Sequence, residues 1–183
     1  MSRFHAALSE LGEVSDRIDP IEVDAACDAI TRAGRIVVYG CGREGLMLRG
    51  LAMRLYHLGL DVAMQGDMTT PPLEAGDLFL TSAGPGELST VTALMRTARA
   101  AGAEVLFLTA EPQTASAALA SQVLTIPAQT MARDQGAAAT STLPMGSLYE
   151  GALFLLFEIM VLDLSDRLGE TPQSMRARHT NME

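Results

Sequence analysis

Five short apolar runs divide the chain into regular units, and most of them end in Gly, Ser, Thr or Pro. Between these runs lie longer segments in which apolar residues recur every three to four positions, as they do in amphipathic helices. Fully apolar strands that alternate with helices indicate a parallel sheet covered on both faces. The predicted strands are Arg35–Tyr39, Asp61–Met64, Leu78–Thr81, Glu104–Thr109 and Val123–Ile126.

The helical segments complete a three-layer α/β sandwich in which helices flank a five-stranded parallel sheet. The predicted helices are Ile21–Ala33, Leu46–Leu58, Ser89–Ala101 and Gly146–Leu168. The last of these is apolar on all sides, so we expect it to pack between subunits or layers. Residues 129–143 have few large apolar side chains and are predicted to form a loop. We predict one domain over residues 1–183, with N-terminal helices (1–34) and a C-terminal tail (171–183) that pack on or between subunits.

Composition narrows the possible functions. A chain of 183 residues with 48% hydrophobic and 19% charged residues has the material for one folded core. Its net charge of −9, its 4% aromatic content and its lack of Trp disfavour binding to nucleic acid or to an anionic membrane. All 13 basic residues are Arg, because the chain contains no Lys. This excludes a Schiff-base lysine, a pyridoxal-phosphate lysine and a P-loop lysine.

Cysteine usage and hydropathy indicate where the protein resides. Cys27 and Cys41 have neither paired spacing nor a surrounding Cys/His cluster, which is typical of free thiols in a reducing compartment. The N-terminus lacks the uninterrupted apolar core of a signal peptide. The most apolar stretch, 151–164, is too short to span a bilayer and contains Glu158 and Asp163. We therefore expect a soluble cytoplasmic protein.

Two glycine-rich loops connect predicted strands to predicted helices. The first, Gly40–Gly45, matches the dinucleotide fingerprint G-x-G-x-x-G, and Asp67 follows roughly 20 residues later. Arg43 and Glu44 place charge where small residues usually admit a pyrophosphate, so a tight turn without a ligand is favoured over a dinucleotide site. The second loop, 81–87, leads into a helix at Ser89 and Thr90. Two such loops side by side favour a cradle for one small polar ligand.

Three further residues stand at helix termini or in the tail. Glu150 lies in the first turn of the long apolar helix, where an acid normally complements the helix dipole. His57 lies in the last turn of its helix, a common place for a surface or capping histidine. The pair Arg178 and His179 lies near the C-terminus and by itself has no evident role.

Taken together, these motifs resemble the 6-phospho-3-hexuloisomerases, which belong to the sugar isomerase (SIS) fold. The motifs that carry the resemblance are Gly42-Arg43-x-Gly45, Ala52-Met53-Arg54-Leu55-x-His57-Leu58-Gly59, Gly66-Asp67-x-Thr69-Thr70-Pro71, Gly76-Asp77-Leu78, Pro144-Met145-Gly146-Ser147-Leu148-Tyr149-Glu150 and Arg178-His179-x-Asn181. The resemblance implies a homo-oligomer, a tetramer, and an isomerase that needs neither metal nor cofactor. Its substrate would be a small carbohydrate.

The resemblance also implies roles for individual residues. Glu150 would be the base, and His57 would relay protons or open the sugar ring. His179 and Arg178 would help to close the site, within one chain or across a subunit interface. The residues expected to bind substrate are Gly42, Arg43, Glu44, Ser82, Gly84, Glu87, Ser89, Thr90 and Arg178.

The departures from the family pattern fall in the predicted phosphate cradle. Glu44 stands where the family has Ser, and Ala83, Pro85 and Leu88 replace hydroxyl-bearing residues of the second loop. Pro85 also removes a backbone N–H donor. A carboxylate beside a phosphate dianion is repulsive unless a cation intervenes. Two alternatives to a sugar-phosphate isomerase therefore stay open: an isomerase of an unphosphorylated or differently substituted sugar, and a non-catalytic SIS domain that binds a sugar.

Overall fold

Five parallel strands form the sheet in the computed structural model, which describes residues 2–182. The strands are β1 (Ile36–Gly40), β2 (Val62–Met64), β3 (Leu78–Ser82), β4 (Glu104–Thr109) and β5 (Gln122–Thr125). Their order is β2-β1-β3-β4-β5, and every neighbouring pair is parallel. The strand order reverses between β1 and β3, which is the place where open α/β sheets bind ligands. The predicted fold class is confirmed.

Within the described residues, six α-helices accompany the sheet: α1 (Arg3–Ser15), α2 (Pro20–Arg32), α3 (Gly42–His57), α4 (Ser89–Ala100), α5 (Ser147–Leu168) and α6 (Pro172–Ala177). Residues 129–143, predicted as a loop, contain two short 3-10 turns, Met131–Arg133 and Gly136–Ala138. The local sequence explains why α2 starts where it does. Asp19 accepts a hydrogen bond from the Ile21 amide (2.8 Å), with Pro20 as the first helical residue.

The alternation of side chains along each strand divides the core into two layers. Ile36 and Val38 face α2, α3 and α5, whereas Val37 between them faces α4. The apolar residues of β3 and β4 divide between the two faces in the same way. Both faces of the sheet are therefore covered, which explains why the strands are apolar throughout instead of alternating with polar residues.

Helix α5 is apolar all round, and its surroundings account for only part of that character. One side packs against α1, α2 and α3, and residues such as Tyr149, Leu153 and Leu164 are buried there. The opposite side leaves Phe154 and Leu162 exposed. In the described part of the chain, no helix is long and apolar enough to cross a membrane.

In the first glycine-rich loop, the backbone at the end of β1 lies in close contact with the backbone of the first turn of α3. A Cβ at Gly45 would lie 2.4 Å from the carbonyl oxygen of Gly40, and a Cβ at Gly40 would lie 2.5 Å from the Leu48 side chain. Glycine at both positions therefore lets the first turn of α3 pack directly on the end of β1. This contact gives the G-x-G-x-x-G spacing a packing role that requires no nucleotide.

We expect Gly45→Ala to lower the free energy of unfolding by about 1–3 kcal/mol, the usual cost of forcing an atom into a packed site. The neighbouring atom is backbone and cannot turn aside. Gly50→Ala is a matched control in the same helix, because nothing lies within 4 Å of its added Cβ. That control should stabilise the protein by about 0.5–1 kcal/mol. Urea denaturation measures both variants, and equal effects would contradict the packing role.

Candidate active site

Helices α3 and α5 place an arginine and a glutamate in direct contact at the carboxyl edge of the sheet. Arg43 Nη2 lies 2.8 Å from Glu150 Oε2. The same guanidinium donates to Ser147 Oγ (3.0 Å) and to the carbonyl oxygen of Met145 (2.6 Å). Met145 adopts a left-handed backbone conformation with φ 55°, an uncommon state for a residue other than glycine and one that often occurs at functional sites. Arg43 thus ties the start of α5 to the start of α3.

Glu44 accepts hydrogen bonds from the second glycine-rich loop. Ser82 Oγ donates to Glu44 Oε2 (2.6 Å), and the Gly84 amide donates to both carboxylate oxygens at 3.0–3.1 Å. These groups meet because Gly40 at the end of β1 pairs in register with Ser82 at the end of β3. Ser82 Oγ also lies 3.1 Å from the buried hydroxyl of Tyr149. A carboxylate therefore occupies the donors that an anionic ligand would use in this cradle.

Burial shifts the pKa of both carboxyl groups, and the charge of Glu44 also acts on Glu150. Burial raises the pKa of Glu44, against the lowering effect of its hydrogen bonds from Ser82 and Gly84. Burial also raises the pKa of Glu150; the Arg43 charge opposes that shift and the Glu44 charge adds to it. A carboxylate with a raised pKa is a stronger base once it is deprotonated. Glu150 therefore has the environment that a general base requires.

A pocket of about 280 Å³ opens beside this pair, and we call it the glutamate pocket. It is lined by Cys41, Gly42, Arg43, Glu44, Pro85, Leu88, Thr130, Met131, Met145, Gly146, Tyr149 and Glu150. Of the predicted site residues it brings together Gly42, Arg43, Glu44 and Glu150, with Ser82 and Gly84 directly behind Glu44. The predicted residues Glu87, Ser89 and Thr90 are exposed on the same loop and its helix, outside the lining of this pocket.

Sequence reasoning missed Tyr149 and Thr130. Tyr149 is 1% exposed, and burial raises its pKa well above the usual value. Its position directly before Glu150, on the buried side of an apolar helix, is a signal that a polar partner for its hydroxyl is needed. Thr130 is 3% exposed, and its hydroxyl has no hydrogen-bond partner among residues 2–182. It follows β5 at the carboxyl edge of the sheet, but no sequence pattern distinguishes it.

The predicted residues His57 and His179 lie together at the other end of α3. Their ring centroids are 5.2 Å apart. They line a second pocket of about 410 Å³, which we call the histidine pocket. Its lining comprises Met53, Arg54, His57, Val161, Leu162, Ser165, Pro172, Met175, Arg176 and His179.

Arg178 holds the tail against this end of α3. Its guanidinium donates to the carbonyl oxygen of His57 (2.8 Å) and to both carboxylate oxygens of Glu170 (2.7 and 2.9 Å). Hydrogen bonding by Arg178 lowers the pKa of Glu170 to about 2. A Cβ at Gly59 would lie 3.0 Å from the guanidinium carbon, and φ there is 84°. The two histidine-bearing motifs therefore meet in space, with Arg178 as a positioning residue.

Within one chain, the two pockets are well separated. Helices α3 and α5 run side by side. The Arg43–Glu150 ion pair joins them at one end, and an ion pair between Arg54 Nη2 and Glu158 Oε2 (3.3 Å) joins them near the other. The 14 residues from Arg43 to His57 span about 20 Å of helix at ~1.5 Å per residue. One chain thus brings the predicted base and the predicted imidazoles to opposite ends of a helix pair. No cluster of three or more His, Cys, Asp or Glu side chains in residues 2–182 could hold a metal ion.

Comparison with known proteins agrees with this architecture. The family model of the SIS domain matches residues 29–155. The chain belongs to the SIS domain family, and the predicted resemblance is confirmed.

Several similar proteins carry the name of one activity within the SIS family. A protein of Mycobacterium gastri named 3-hexulose-6-phosphate isomerase is 38% identical over 95% of this chain and 86% of its own length. A protein of the same name from Methylomonas aminofaciens is 34% identical, with 87% of each chain covered. A Methanococcus jannaschii crystal structure, described as inferring 3-hexulose-6-phosphate isomerase function, shares the fold with a TM-score of 0.86 at 22% identity over the whole of both chains.

Proposed function

We propose that the chain is a cofactor-independent isomerase that moves the carbonyl of a hexulose 6-phosphate between C3 and C2. The observation that carries this proposal is the Arg43–Glu150 pair at 2.8 Å, which places a carboxylate with a raised pKa in a pocket at the strand-order reversal. The relatives named 3-hexulose-6-phosphate isomerase support the same substrate class.

The reaction requires a base and a proton relay. Glu150 removes the proton from C2 of the 3-ketose, and the electrons of that C–H bond form the C2=C3 bond of an enediolate. The proton is returned to C3, while the hydroxyl proton of O2 passes to O3, so the carbonyl now lies at C2. No electrons leave the sugar and no atoms are gained. Arg43, at the side of Glu150, is placed to stabilise the negative oxygen of the enediolate.

The imidazoles of the histidine pocket are assigned to the proton relay between oxygens, and we place them in a neighbouring subunit. The roughly 20 Å that separate them from Glu150 along α3 preclude joint action within one chain. The same side of α3 and α5 exposes large apolar side chains, with Met53 at 49% and Leu162 at 61% exposure. Such a surface is typical of a protein–protein interface. A homo-oligomer, and a tetramer in our proposal, covers it.

Two alternatives carried over from the sequence are not favoured by the relatives. An isomerase of an unphosphorylated sugar would explain why Glu44 fills the cradle, but the curated relatives are named for a sugar phosphate. A non-catalytic sugar-binding domain leaves the paired Arg43 and Glu150 without a role. We also propose that the protein is a single cytoplasmic SIS domain, in keeping with its two free cysteines.

Nuclear magnetic resonance of fructose 6-phosphate in D2O tests the proposed function directly. An enediolate formed from this sugar exchanges its C3 proton with solvent, so recovered fructose 6-phosphate should carry deuterium at C3, beside new signals of the 3-hexulose. Fructose is the matched substrate without phosphate. Exchange with fructose but not with fructose 6-phosphate would favour the unphosphorylated substrate. Binding of either sugar without any exchange would contradict an isomerase.

The pH profile should respond in opposite directions to two substitutions beside Glu150. Since Glu150 acts in its deprotonated form, kcat/KM falls as the pH drops through its pKa. Arg43→Gln removes the charge that lowers this pKa, so the acid limb of the profile should move to higher pH. Glu44→Gln removes a charge that raises it, so the limb should move to lower pH. Initial rates between pH 4 and 9 measure both shifts, and shifts of the same sign would refute Glu150 as the titrating base.

A further inference from the structure

The lining of the histidine pocket is basic, in contrast to the rest of the molecule. The chain carries a net charge of −9, yet among residues 2–182 this pocket is lined by Arg54, Arg176, His57 and His179 and by no Asp or Glu. Ser165 adds a hydroxyl, and the remaining lining is apolar. A concave surface with several convergent cationic donors is suited to an anion.

The two arginines of this pocket have guanidinium N–H groups that lack an acceptor in the described chain. The guanidinium of Arg176 makes no hydrogen bond or ion pair with any residue from 2 to 182, and its backbone carbonyl accepts from the His179 amide (3.1 Å). Arg54 contacts Glu158 through Nη2, but its Nε–H is buried and has no acceptor in the described chain. Buried donors without an acceptor are uncommon in folded proteins, and they mark a place where a partner is expected. Arg178, two residues after Arg176, is already held by Glu170.

The glutamate pocket offers no comparable cation. Its Arg43 is paired with Glu150, and the donors of its glycine-rich cradle, Ser82 and Gly84, are taken by Glu44. A phosphate dianion placed against that cradle meets a carboxylate at close range, which is unfavourable in a pocket with little water. The reacting carbons of a sugar fit beside Glu150, but its phosphate group requires another partner.

We propose that the histidine pocket binds a phosphate group, with Arg176 as its principal cation and Arg54 as a further donor, beside the two imidazoles that face the reacting carbons. This inference rests on the proposed function for one point only, namely that the substrate carries a phosphate. The phosphate comes either from a substrate that spans two subunits or from free inorganic phosphate. In the first case, the subunit that supplies His57 also anchors the sugar phosphate that Glu150 of its neighbour deprotonates.

The three histidines of the chain make the test unusually direct, because imidazole proton signals are few and can be assigned individually. Inorganic phosphate is titrated into the intact wild-type assembly at fixed ionic strength. His57 and His179 should shift with saturation, whereas His5 at the start of α1 should not. Arg176→Gln should weaken this binding by about tenfold or more, as expected for loss of a charged hydrogen-bond donor. Arg96→Gln, on the exposed side of α4, makes the same change in net charge and should leave it unaltered.

Inhibition kinetics identify the source of the phosphate. Competitive inhibition by inorganic phosphate, with a raised KM in Arg176→Gln and little change in kcat, assigns the pocket to the phosphate of the substrate. Non-competitive inhibition assigns it to free phosphate. Absence of histidine shifts, or equal shifts in Arg176→Gln, overturns the proposal while turnover persists. Phosphate binding without any turnover of fructose 6-phosphate supports the pocket and overturns the proposed function instead.

Discussion

Replacing Glu150 by Gln should abolish isomerisation, with kcat reduced by about 10² to 10⁴-fold, the usual contribution of a general base. The amide keeps an oxygen that accepts from Arg43 but cannot take up the C2 proton. Deuterium incorporation into fructose 6-phosphate should also fall, because Glu150 both removes the C3 proton and returns a deuteron to C3. The decisive measurement is this exchange rate, since it does not depend on product release.

Glu150→Gln should leave the fold intact. The Arg43 side chain is 50% exposed, so water screens its ion pair with Glu150 from that side, and the neutral amide of Gln avoids the cost of burying a charge at position 150. Arg43 also retains its contacts with Ser147 and Met145. Asp166→Asn, on the exposed side of the same helix, is the matched control and should keep full activity. Normal turnover in Glu150→Gln would remove Glu150 from the mechanism.

The sheet was predictable because its signal is local. Continuous apolar runs predicted all five strands, and β4 matches its predicted bounds of Glu104–Thr109. Helix α3 was predicted to begin at Leu46 but begins at Gly42, because Gly40 and Gly45 bring the backbones close enough for the helix to start directly after the strand. A glycine-rich segment resembles a loop in sequence, and only the packing of strand on helix shows that it is helical.

The sequence motifs indicate individual candidate residues, but they do not indicate which of these residues contact each other in the fold. Glu44 lines the glutamate pocket, but the sequence does not predict that Ser82 and Gly84, 38 and 40 residues further along the chain, donate to its carboxylate. That contact depends on β1 lying next to β3, and no local pattern specifies strand order. The meeting of Arg178 with the His57 carbonyl, across 121 residues, depends likewise on the path of the tail.

The distance between the two pockets leads to the second prediction, which concerns mixed assemblies. His57→Asn removes an imidazole of the proton relay, and that variant alone should be inactive, as should Glu150→Gln alone. Co-expression of the two variants should restore activity, because a site then forms wherever wild-type Glu150 of one subunit meets wild-type His57 of the partner subunit. If each site draws one group from either side of a symmetric interface, random assembly of equal amounts restores about a quarter of the sites.

Restoration separates a shared site from one contained in a single chain. If both groups acted within one subunit, no subunit of the mixture would carry both, and activity would stay at the level of the single variants. Mixing Glu150→Gln with a second variant of the same pocket, Arg43→Gln, provides the control. Glu150 and Arg43 touch within one chain, so neither kind of subunit in that mixture carries an intact Arg43–Glu150 pair. Activity above the average of the two separate variants in the first mixture, and not in the second, would place the base and the imidazoles on different subunits. No such gain in either mixture would return His57 and His179 to a structural role.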